Sequence, residues 1–70
     1  MNHVAFFRKC NGITQEDLAK CCGISRMALS LIENGADCRV STAIKICNVL
    51  DKTLTEVFPN VEITNTQSGV

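Results

Sequence analysis

The sequence predicts an all-α domain built from five helices. Apolar residues recur at spacings of three and four in successive stretches, and most stretches begin at a serine, threonine or asparagine that can cap a helix. The stretches stop at residues that end helices, as in "NG" at 11–12, "CG" at 22–23 and "ENG" at 33–35. No convincing strand competes with them; only "VEIT", near the end, alternates.

The elements follow in order. The first helix is expected from about Asn2 to Cys10, with Asn2 as its cap and Val4 and Phe7 three apart on one inner face. Gly12 can take the left-handed conformation that closes it. Thr14 caps the second helix, with Asp17 at the capping-box position, and Glu16 and Asp17 suit the positive end of the helix dipole. Leu18, Ala19 and Cys22 form its buried stripe, and Gly23 stops it. Ser25 caps the third helix, where Leu29 and Ile32 continue the stripe begun by Ile24, and Asn34 and Gly35 end it.

The fourth helix is expected from about Val40 to Leu50, with Val40, Ala43, Ile46 or Cys47, and Leu50 facing inward and Ser41 a candidate cap. Thr53 and Glu56 form a capping box that opens a short helix "LTEVF", which Pro59 ends. Residues 1–59 thus make the domain, and residues 60–70 are a short polar C-terminal tail, flexible or forming a short dimerisation strand.

Composition bounds the rest. A chain of 70 residues is one small domain, and at this size folding buries only about 60% of the surface the unfolded chain exposes. The chain is 46% hydrophobic with three phenylalanines and neither tryptophan nor tyrosine, so aliphatic residues and cysteines must fill the core. Seven basic and seven acidic residues cancel, so bulk charge points to neither nucleic acid nor membrane. No segment reaches the length of a membrane span, and "MNHVAFFRKC" has too short an apolar run for a signal peptide, so a cytoplasmic location is expected.

The five cysteines are odd in number and are expected as free thiols. Cys22 and Cys47 fall on apolar stripes; Cys10, Cys21 and Cys38 are expected to be more exposed. No pair has C-x-x-C spacing, so no metal site is expected. There is no glycine-rich phosphate loop, His3 is the only histidine, and no nucleophile has a visible base, so neither an enzyme nor a cofactor is expected. No small-molecule substrate is evident.

From Phe7 to Phe58 the sequence resembles the helix-turn-helix domain of the phage Cro and repressor family. The resemblance rests on "FRKCNGITQEDLAKCCGIS", "LSLIENG" and "STAIKICNVLDKTLTEVF". Each key position has a physical reason. Ala19 is small where the second helix crosses the third, and Gly23 sits in the sharp turn that needs positive φ.

The resemblance implies a sequence-specific DNA-binding transcriptional regulator such as a repressor, with the helix from Ser25 to Asn34 in the major groove. It places Arg26, Met27 and Leu31 at base-reading positions, with Ser30 flanking them. Gln15 and Ser25 would meet the DNA backbone, joined by Arg39 and Ser41 after the recognition helix. It also implies a structural ion pair between Arg8 and Glu33. The partners expected are double-stranded DNA and a second copy of the chain, the homodimer placing two recognition helices about 34 Å apart.

Two features fit this poorly. Asp37 stands in the loop that should approach phosphate, and Met27 and Leu31 are apolar on an outward face, where they either pack on thymine methyls or form a protein interface. The alternative is therefore a protein-interaction module on the same fold with weak or no DNA binding. A third reading adds a thiol switch at Cys10, Cys21 or Cys38. Phe6, the face around Leu54 and Val57, and "VEIT" are the candidate dimer contacts.

Overall fold

The computed structural model describes residues 2–59, so the tail assigned to residues 60–70, including "VEIT", lies outside the described residues. The described residues form five helices: α1 (Val4–Cys10), α2 (Gln15–Cys22), α3 (Arg26–Glu33), α4 (Val40–Leu50) and α5 (Leu54–Val57). The all-helical class is as expected.

Local chemistry explains most boundaries. Thr14 Oγ1 accepts from the Asp17 backbone N–H at 3.1 Å, and Ser25 Oγ accepts from that of Ala28 at 3.0 Å. The capping box at Thr53 is complete: its hydroxyl accepts from the Glu56 N–H, and Glu56 Oε1 accepts from the Thr53 N–H at 2.8 Å. Asp17 is one methylene shorter than glutamate, and it makes no return bond to Thr14 among the described residues. Gly23 closes α2 in the left-handed conformation at φ 71°, with its N–H on the Ala19 and Lys20 carbonyls.

Three expectations require correction. The first helix begins at Val4, not Asn2. The Asn2 side chain is occupied instead, accepting from the Val4 N–H at 3.1 Å and donating to the Ile32 carbonyl at 2.7 Å. Asn2 thereby straps the start of α1 onto the end of α3. The cap of α4 is Arg39, with no side-chain hydrogen bond, and Ser41 lies one residue inside the helix. Val40, expected inward, is 52% exposed. Side chains lean toward the N-terminus of a helix, so the first residue of α4 projects past the helix end, beyond the core that Ala43, Ile46, Cys47 and Leu50 enter.

The predicted stripes of the first four helices form the core, and Val57 and Phe58, not predicted for it, complete it. Val4, Leu18, Leu29, Ile46, Leu50 and Val57 are fully buried, and Ala19, Cys22, Ile32, Ala43, Cys47 and Phe58 join them. The second helix packs on α3 and α4, while α4 also packs on α1 and α5. Phe7 lies against the core edge, with the Lys52 ammonium 5.1 Å above its ring. Burial of Val57 removes it as a dimer contact, whereas Phe6 is 61% exposed.

Candidate nucleic-acid interface

The pair α2–α3 packs together and onto the core. Leu18, Ala19 and Cys22 bury one face of α2, and Leu29 and Ile32 bury one face of α3. Ala19 is buried, and the left-handed Gly23 beside it reverses the chain within the few residues between the helices. With Leu29 and Ile32 buried, the orientation of α3 about its own axis is set. Its opposite face is therefore fixed, and that face carries Arg26, Met27 and Leu31, all exposed, with Ser30 half-buried beside them.

A network of polar side chains locks the outer ends of the first three helices. Arg8 donates through Nε to Glu33 Oε2 at 2.7 Å and through its terminal nitrogens to Glu33 Oε1 at 3.5 Å and the Ile13 carbonyl at 2.8 Å. The side chains of this pair are only 11% and 7% exposed, so the Arg8 charge is spent inside the domain. Gln15, the first residue of α2, donates from Nε2 to Glu33 Oε1 at 2.8 Å. The sequence predicts the Arg8–Glu33 pair but not this third member of it. Sequence spacing alone does not reveal that the start of α2 overlies the end of α3.

The other candidate backbone contacts are less connected. Ser25 uses its oxygen as a cap acceptor, which leaves the hydroxyl proton free to donate outward. Arg39 and Ser41 are exposed at the start of α4, a separate element, and make no side-chain hydrogen bonds among the described residues. Asp37 is exposed in the loop before them. Val40 and Ile44 add exposed apolar surface to the outer face of α4, which the sequence reading did not single out.

The thiols divide less simply than expected. All five cysteines are free; Cys10 and Cys21 are exposed, Cys22 and Cys47 buried, but Cys38 is half-buried against the core. Burial pushes the Cys38 thiol up, and the neighbouring Asp37 charge adds to this. Burial likewise raises Cys22 and Cys47. No group of three or more His, Cys, Asp or Glu side chains that could hold a metal ion occurs among the described residues. No described helix is long and apolar enough to cross a membrane.

Two short helices crossing over a glycine turn, one anchored inside and exposed outside, define a helix-turn-helix DNA-binding domain. Comparison with known families agrees: a family model described as helix-turn-helix matches residues 6–57. The chain belongs to the helix-turn-helix family of the Cro and repressor type. A search of curated proteins finds no match to the sequence.

Proposed function

We propose that the chain is a sequence-specific transcriptional regulator, acting as a homodimer on a two-fold symmetric duplex site in the cytoplasm, without catalysis. Residues 1–59 form the DNA-binding unit in this reading. The observation that carries it is the outward face of α3: Arg26, Met27 and Leu31 remain exposed on a helix whose other face is pinned.

Arg26 stands at the first position of α3, where a guanidinium can take guanine O6 and N7 together. Ser30 flanks it, while Met27 and Leu31 face the base edges. Gln15 and Ser25, at the starts of α2 and α3, hold phosphates with the helix N-termini behind them. Arg39 and Ser41 extend the contact. Arg8 does not take part, because Glu33 and the Ile13 carbonyl occupy its guanidinium.

Selection from a randomised duplex pool at low and moderate salt tests this reading, with Arg26→Ala in parallel. The expected result is a two-fold symmetric motif that the variant blurs at one position. Failure to enrich any sequence at low salt overturns it. The second reading, a protein-interaction module, is favoured by the exposed apolar residues Met27, Leu31, Val40 and Ile44 on a chain of zero net charge.

A further inference from the structure

We infer that α3 reads the pyrimidine 5-methyl group itself, so that thymine and 5-methylcytosine are equivalent to Met27 and Leu31, and methylation of cytosine at those positions raises affinity. This rests on the DNA-binding reading above and deepens it.

Met27 is 75% exposed and Leu31 57%, which makes them the large apolar side chains that α3 leaves uncovered. Four residues apart, they lie on one helix face and about 6 Å apart along the axis, close enough to meet neighbouring base pairs in one groove. Neither has a hydrogen-bond donor, and the methionine sulfur is only a weak acceptor. They therefore cannot tell the thymine O4 acceptor from the cytosine N4 donor by pairing with it.

The discrimination left to them is apolar. In the major groove the apolar group that distinguishes one base from another is the methyl on C5 of thymine. 5-Methylcytosine carries the same methyl on the same ring atom. Among the polar neighbours, Arg26 is a donor fork suited to guanine, the Gln15 amide is turned onto Glu33, and Ser30, half-buried beside them, has a hydroxyl that can pair with any base and so does not choose between them. Met27 is unbranched and can follow either base, and Leu31 gives the second contact.

The test uses the duplex recovered by selection. Each thymine is replaced in turn by deoxyuridine, each cytosine by 5-methylcytosine, and each methyl-sensitive thymine·adenine pair by cytosine·guanine with and without the 5-methyl. Affinity is read by fluorescence anisotropy. Removing the methyl at two nearby positions in each half-site should weaken binding about fourfold each. At the same positions 5-methylcytosine should bind about fourfold more tightly than cytosine. Met27→Gln and Leu31→Gln, both at exposed positions and checked for unchanged melting, should each erase one of the two effects. A recovered site with no deoxyuridine effect, or with no gain from 5-methylcytosine, overturns the inference and leaves the DNA reading standing. Recovery of no site overturns both.

Discussion

Gln15 Nε2 and Glu33 Oε1 lie 2.8 Å apart, and the other oxygen of that carboxylate takes Arg8 Nε at 2.7 Å. One glutamate at the end of α3 thus ties down α1 and α2 together. A carboxylate only accepts, so it turns the Gln15 NH2 toward itself. A phosphate also only accepts, and the second N–H of the same nitrogen remains for it. Gln15 therefore keeps one N–H for an acceptor outside the domain without breaking its internal contact.

The network sets the first prediction. Arg8→Met leaves the largely buried Glu33 carboxylate without its cation and should destabilise the fold by about 3 kcal/mol, as expected when one partner of a buried pair is removed. Arg8→Met combined with Glu33→Leu should recover most of that loss, because no uncompensated charge remains. Urea denaturation measures both. A single variant losing under about 1 kcal/mol, the ceiling for exposed pairs, would show that the pair behaves as a surface one.

The thiols give a pH dependence. Burial raises Cys22, Cys38 and Cys47, with Cys21, Asp37 and Cys38 adding respectively, although Lys45 partly offsets the rise at Cys22. The folded state holds these protons more tightly than the unfolded one. Their contribution is therefore complete at neutral pH and is lost as pH climbs past the ordinary thiol value of 9.0 through the raised folded values. The urea midpoint should fall as pH rises from about 8 to about 10, across the ordinary thiol titration. Cys10 and Cys21 should react quickly with a thiol reagent in the folded state, and the other three slowly. Uniformly fast reaction would contradict the packing, and inertness of Cys10, Cys21 and Cys38 together would remove a thiol switch.

Asp51 offers a gain of stability. It ends α4 in the left-handed region at φ 58°, where a negative charge faces the negative end of the helix dipole. Asn tolerates the same backbone without the charge. Asp51→Asn should therefore stabilise the fold by about 0.5 kcal/mol, raising the melting temperature by roughly 2–4 °C for a domain this size. Asp51→Val should lower it, since a β-branched residue suits positive φ poorly. An unchanged melting temperature in both variants would contradict this account of the helix end.

Legibility in the sequence followed the physics of each feature. Interior stripes were readable because helical period and burial report the same thing: Leu18, Ala19, Leu29, Ile32, Ile46 and Leu50 all lie where the spacing puts them. Caps at Thr14, Ser25 and Thr53 were readable because their chemistry is local. Val40 failed because period says nothing of where the core ends along a helix. The cap of α1 falls one residue later than expected, at His3, although Asn2 still accepts from the Val4 N–H; its second bond, to the Ile32 carbonyl thirty residues away, could not be read locally. The Gln15–Glu33 contact was hidden for the same reason, since it depends on how α2 and α3 cross. The outward face of α3 was visible as a set of residues, but its rigidity follows only from the packing behind it.

Everything proposed for this domain depends on the outer face of α3 meeting duplex DNA. Titrating uniformly 15N-labelled protein with a duplex carrying the selected motif, and following amide and side-chain shifts by NMR, tests it most directly. The largest changes are expected from Ser25 to Leu31 and at the Gln15 side-chain amide, with smaller ones at Arg39 and Ser41. Absence of shifts in excess duplex at low salt, or shifts confined to Phe6, Val40 and Ile44, would contradict it.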